Sequence, residues 1–224
     1  MRSVLICYNP YTMMSTKIGT ESAVTAKGRA AKERIYAASI RLVNAKGYEA
    51  LTVPAICAEA GVSIGAFYHH FDSKGDILLR YIREESDALL EFYRRLEDLP
   101  RREAILRSVE CFFGFFAVKG RAFVAAFLGI IFQSGGSYYD PRGFSIVAIL
   151  DDALARGAAS GEFHGSGDHI LGLARGVILD LMVSWCVVAD SAVVADSAVV
   201  DTAADGLVSA GRERMSLLLD LLRY

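Results

Sequence analysis

Residues 52–74 read TVPAICAEAGVSIGAFYHHFDSK, and this stretch contains three helix starts and one glycine stop. Thr52 is a good N-cap, and Pro54 falls in the first turn, where a missing N–H costs nothing. Gly61 ends that helix, and Ser63 caps a second short one running to His70 or Phe71. Two short helices joined by a tight glycine turn form a helix-turn-helix when a preceding helix packs against them.

The flanking sequence supplies that helix. From Arg29 onward, Ile35, Ala38, Leu42 and Val43 recur at helical spacing, with Arg34, Arg41 and Lys46 on other faces and Gly47 as the stop. Residues 1–28 lack this periodicity and are expected to form a mobile arm or an over-extended start, since Met13 and Met14 could also initiate. Downstream, Asp72-Ser73-Lys74 restarts a helix expected to reach about Leu96, with Ile77, Leu78, Tyr81 and Ile82 as its apolar stripe. After Pro100 charges thin out and phenylalanines crowd together. Gly135-Gly136-Ser137 and Pro141 mark a break, and further helices are expected over 142–157, 167–188 and 203–222. The hexad Val187–Ala192 recurs as Val193–Ala198. Six residues at about 100° each do not line one helix face, so this segment reads as an extended helix end or an irregular insertion.

Composition bounds the rest. The chain has 224 residues, 53% of them hydrophobic and 22% charged, which excludes wholesale disorder. Four prolines favour long helices over a turn-rich β fold. A net charge of −2 excludes a uniformly basic coat protein, yet Lys27, Arg29, Lys32, Arg34, Arg41 and Lys46 lie close together, offset there mainly by Glu33. Cys7, Cys57, Cys111 and Cys186 form no C-x-x-C pair and read as buried free thiols, not a disulfide framework or zinc site. The longest apolar run, Ala122–Phe132, is too short to span a membrane, and Asp180, Asp190 and Asp196 interrupt Val177–Val200. A cytoplasmic protein without membrane association is expected.

The helix-turn-helix assigns chemistry to particular residues. Ile56, Val62 and Phe67 are expected to pack inward and hold the second short helix rigid. Ser63, Ile64, Gly65, Ala66, His69 and His70, small or polar apart from Ile64, can then approach base edges in the major groove. Tyr68 can offer its hydroxyl to phosphate. Thr52 and Lys74 begin helices whose amides and dipole favour phosphate, and Arg29 contributes from the basic first helix.

Residues 29–89 resemble the DNA-binding domain of the TetR (tetracycline-repressor-like) family of bacterial transcriptional regulators. The resemblance lies in Arg34-Ile35, Lys46–Ala50, Thr52-Val53 with Ile56, Ala60–Ser63, and above all Gly65-Ala66-Phe67-Tyr68-His69-His70-Phe71 followed by Ser73-Lys74. Ser160-Gly161-Glu162-Phe163 looks like a linker common between late helices of such proteins. Pro54 and Cys57 are mild departures. Ile64 stands where the family often carries a polar or basic residue, which opens an apolar contact with a thymine methyl. The resemblance implies an all-α chain: an N-terminal three-helix DNA-binding domain at 29–89 with its helix-turn-helix at 52–71, then a helical effector-binding and dimerisation domain at 90–224.

It also implies a homodimer that represses from a palindromic double-stranded operator and is released by a small apolar effector. The effector would tilt the helix starting at Lys74. Phe112, Phe116, Phe127, Ile131, Tyr138 and Trp185 are the expected pocket, although aromatics at helical spacing equally suit a plain core. Gly172, Arg175 and Gly176, with Leu217, Leu218, Leu221 and Leu222, could close either a subunit interface or the monomer core.

Other readings weigh less. Gly61–Gly65 matches the G-x-S-x-G of hydrolases, but a helix precedes it and no parallel-strand pattern surrounds it. Adjacent His69 and His70 diverge on a helix, and His164 and His169 flank a Gly-rich turn, so neither pair suggests a metal. Within 111–147 only Lys119, Arg121, Asp140 and Arg142 are charged, which disfavours a bundle enzyme. No catalytic residue, cofactor or metal is expected. An activator, or a DNA-binding regulator without an effector, remains the alternative.

Overall fold

The computed structural model describes residues 26–133, 145–164, 167–187 and 197–222. All regular structure among the described residues is helical: α1 (Ala26–Lys46), α2 (Val53–Ala60), α3 (Ile64–His70), α4 (Lys74–Arg94), α5 (Arg101–Lys119), α6 (Arg121–Gln133), α7 (Ser145–Ala159), α8 (Gly167–Val187) and α9 (Ser197–Asp220). A 3-10 turn, Tyr48–Ala50, lies between α1 and α2. Packing divides the chain into two compact units within α4, between Tyr81 and Ile82, ahead of the boundary at 89 read from the sequence.

In the first unit α1 packs on α2 and α3. Ile35, Ala38, Leu42 and Val43 are buried as their spacing requires. Tyr36 and Ser39 join them, Ser39 because its hydroxyl donates to the Ile35 carbonyl at 2.8 Å and so does not need water. Gly47 and Gly61 end their helices with φ of +78° and +64°, a region that favours glycine.

In the second unit α5 is central and packs against α6, α7 and α9. Ile105, Val109, Phe113 and Phe116 are among its buried residues. Glu162, in the turn after α7, accepts from the Arg101 and Arg102 amides at 2.7 Å each and so caps the start of α5. Next to it, Phe163 lies against Gly157, where a Cβ would stand 2.2 Å from its ring. The Ser160–Phe163 motif thus ties the α7–α8 turn to α5.

Several boundaries differ from the sequence reading. Helix α1 begins at Ala26, so residues 26–28 belong to it; the remainder of the expected arm lies outside the described residues. Helix α7 runs on to Ala159, because Gly157 is accommodated inside it against Phe163. Helix α9 begins at Ser197, taking in the end of the repeat, whose residues 188–196 lie outside the described set along with the expected break at 135–141. Cys57 is buried, but Cys111 and Cys186 are only half-buried. Within α8, His169–Val187 is apolar and long enough to cross a membrane by length and composition, a feature hidden from a count of uninterrupted runs by Arg175 and Asp180; little of it is buried here.

Candidate nucleic-acid interface

The helix-turn-helix is built from its caps inward. The Thr52 hydroxyl accepts from the Ala55 amide at 3.3 Å, and the Ser63 hydroxyl from Ala66 at 3.1 Å, so both short helices start where the sequence places N-cap residues. Between them the Val62 amide donates to the Cys57 carbonyl at 3.0 Å across Gly61. Phe67 is fully buried, with Phe71 at 6.0 Å between ring centroids and Tyr68 edge-on at 5.3 Å. That ring fixes the roll of α3 and turns the opposite side outward.

Ser63, Ile64, Gly65, Tyr68 and His69 are exposed on that outer side, Ile64 at 51% and Tyr68 at 55%. Ala66 and His70 are half-buried, nearer the Phe67 side, and Val62 is only half-buried where full burial was expected. Burial pushes the His70 imidazole below the ordinary histidine range, and the neighbouring His69 and Lys32 charges push the same way. Thr52 is exposed at the start of α2, and Arg29 on α1.

Charge around the motif is partly internal. Glu33 receives both guanidinium nitrogens of Arg80, at 2.9 and 2.7 Å, and Arg80 also lies 3.8 Å over the Tyr36 ring. The one acid amid the basic residues of α1 is thereby paired, while Arg29, Arg34 and Lys46 face solvent. Lys74 is placed otherwise than expected. Its ammonium turns inward, donating to the Leu51 carbonyl at 3.2 Å and sitting 4.7 Å over the Tyr48 ring. The first turn of α4 is also occupied by its own chain: the Ser73 hydroxyl accepts from Gly75 and Asp76, and the Asp76 carboxylate from Asp72 and Ser73. A carboxylate already stands where a phosphate would sit. Sequence reasoning missed this strut, because nothing marks Tyr48 as its receiving ring before the chain is folded.

A family model described as bacterial regulatory proteins, tetR family, matches residues 35–81, which hold this motif and the α1 face that supports it. Over these residues the chain is similar to the TetR family.

A curated relative, the uncharacterized HTH-type transcriptional regulator YerO of Bacillus subtilis (strain 168), is 38% identical over 82 residues, 35% of this chain and 28% of that protein. The match therefore spans less than a third of the relative's length. Among solved structures, the TetR-family repressor FadR of Thermus thermophilus, in complex with lauroyl-CoA, covers 84% of this chain and 93% of its own, with TM-score 0.59 and 18% identity. FadR of Bacillus subtilis, in complex with stearoyl-CoA, covers 84% and 97%, with TM-score 0.54 and 21% identity. GusR of Salmonella enterica covers 85% and 95%, with TM-score 0.56 and 19% identity. At these identities the likeness is one of fold.

In the C-terminal unit, three of the expected pocket residues meet directly. Phe116 lies 5.0 Å from Phe112 and stacks on Phe127 at 5.5 Å between centroids. Phe113 and Phe123, which the expected set leaves out, are fully buried beside them. Ile131 is half-buried on α6, and Trp185 on α8 lies 5.4 Å under the Arg121 guanidinium. Tyr138 lies outside the described residues. A separate groove of about 270 Å³ runs between α4 and α7, lined by Leu90, Tyr93, Ile149, Asp152 and Arg156 among others. There the Tyr93 hydroxyl donates to Asp152 at 2.6 Å, and burial, with that bond, pushes the phenol above its ordinary range.

Proposed function

We propose that this chain is a transcriptional repressor that binds a palindromic double-stranded operator as a homodimer. The observation that carries this reading is the α3 surface: a buried Phe67 behind it, and Ser63, Ile64, Gly65, Tyr68 and His69 exposed in front. A helix so held fits the major groove, which admits one helix and displays a distinct edge for each base pair. Ser63, Ile64, Gly65, Ala66, His69 and His70 are assigned to base edges and Tyr68, Thr52 and Arg29 to phosphate, with Lys74 as the internal support for the turn before α2. A protein acting on chromosomal DNA works in the cytoplasm of a bacterial cell.

The dimer reading rests on α8 and α9. Leu173, Gly176, Asp180, Val183 and Val187 recur at alternating steps of three and four along α8, and all are exposed. That spacing is the seam of a helix made to meet another helix. At the end of α9 Leu217 is exposed and Leu218 buried, and in the turn that follows Leu221 is exposed and Leu222 buried in the unit's own core.

The effector is assigned to the aromatic cluster of α5 and α6, and the acyl-CoA complexes of the two FadR structures support an apolar chain as its class. Because the rings touch, a ligand must favour a conformation in which they part. It acts on the operator only by binding the DNA-incompetent state more tightly.

Selection of bound duplexes from a random pool tests the core of this reading. The expected result is a palindrome whose half-sites lie one helical turn apart, bound with an affinity that falls steeply with salt. Enrichment of no duplex would refute it.

A further inference from the structure

The exposed side of α3 is chemically unusual for a base-reading surface. Residues 61–73 contain no Arg, Lys, Asn or Gln, the side chains that bind guanine or adenine edges with two hydrogen bonds. Ser63, Tyr68 and His69 each offer a hydroxyl or an imidazole. Ile64 offers none of these, yet it stands 51% exposed, one turn before Tyr68 on the same strip. Its exposed branches do not serve the core, which Phe67 and Phe71 close from the other side.

Only one base feature in the major groove suits an aliphatic side chain: the C5 methyl group, present on thymine and on 5-methylcytosine and absent from the other bases. Next to Ile64, Gly65 has a single atom, the Ser63 hydroxyl at 3.9 Å, near where a Cβ would stand, so the backbone there leaves room for close approach.

We propose that Ile64 is a specificity-determining residue that reads the C5 methyl of a 5-methylpyrimidine, ordinarily thymine, once in each half-site. The inference rests on the DNA-binding reading above and adds to it a particular base at one symmetric position.

The test uses the full chain and the duplex that the native protein selects from a random pool. Each thymine is replaced by uracil, which removes the methyl alone, symmetrically in both half-sites. Burial of one methyl predicts a weakening of about fourfold per half-site, or about fifteenfold for both, at one position. The exposed substitution Ile64→Ala should bind the thymine and uracil duplexes equally there, while Ile64→Val, which keeps a branched side chain, should still distinguish them. At the same position 5-methylcytosine should bind more tightly than cytosine. A selected duplex in which no thymine-to-uracil change weakens the native chain overturns the inference and leaves DNA binding intact, as does an Ile64→Ala chain that keeps the penalty. A chain that selects no salt-sensitive duplex overturns both readings, and that result differs visibly from the other two.

Discussion

Lys74 stands in the first turn of a helix, where a lysine beside a DNA-binding motif reads as a phosphate ligand. Its contacts make it a strut, since its ammonium joins the Leu51 carbonyl to the Tyr48 ring and so fixes the 3-10 turn against the start of α4. The two roles separate in one variant. Lys74→Met keeps the aliphatic stem and removes the charge. Losing a charged hydrogen bond and a cation–π contact at a half-buried position should cost about 1–2 kcal/mol, read as a lower midpoint in urea denaturation. The slope of log affinity against log salt should stay that of the native chain. A phosphate contact would instead reduce that slope by about 0.9. What was legible here in the sequence was the local chemistry: Thr52 and Ser63 accept the bonds their positions predict, and Gly61 takes the left-handed conformation the turn needs. The inward turn of Lys74 was not legible, because its partners lie 23 and 26 residues away and carry no local signal.

At the scale of elements, α9 holds two glycines with opposite meanings. A Cβ on Gly211 would stand 2.2 Å from the fully buried Phe113 ring of α5, whereas a Cβ on Gly206 meets nothing within 4 Å. Gly211→Ala should destabilise the C-terminal unit by about 1–3 kcal/mol through overpacking. Gly206→Ala, at an exposed helical position, should stabilise it by about 0.5–1 kcal/mol. Thermal unfolding of the two variants, displaced to opposite sides of the native chain, checks the pair. The sequence showed both as helix glycines and could not separate them, since the close approach of α5 and α9 is a tertiary fact.

The same two helices share an ion cluster: Glu103 accepts from Arg107 at 2.8 Å and Arg212 at 3.3 Å, and Arg212 also reaches Glu110 at 2.9 Å. The bond from Arg107, with Arg212 beside it, holds the Glu103 carboxyl below its ordinary value of 4.5. A carboxyl depressed in the folded state stabilises fully above its unfolded pKa and loses that contribution as pH falls through the folded value. Glu103→Gln should therefore be less stable than the native chain at pH 7, by about 0.5–1 kcal/mol for so exposed a cluster. The difference should vanish in melts well below pH 4.5; a gap that persists there would mean the carboxylate charge is not its source.

For the whole molecule, the decisive question is what covers α8 and the outer side of α9. A single recognition helix reads few base pairs, so high operator affinity depends on two copies held together. Neighbouring leucines at the end of α9 and in the turn after it allow the two tasks of that segment to be separated. Leu217 and Leu221 are 62% and 70% exposed, and their removal leaves the unit's own packing untouched. Leu218 and Leu222, one position along, are buried in it. The double substitution Leu217→Glu with Leu221→Glu places two like charges four residues apart on the proposed seam, so that two copies would bring four together. Its circular dichroism and melting temperature should stay close to those of the native chain, while sedimentation shows a monomer. Operator affinity should fall by about 10² or more as the second half-site is lost. A variant that stays dimeric and keeps its affinity would place the subunit contact elsewhere, and the exposed apolar face of α8 would then need another partner.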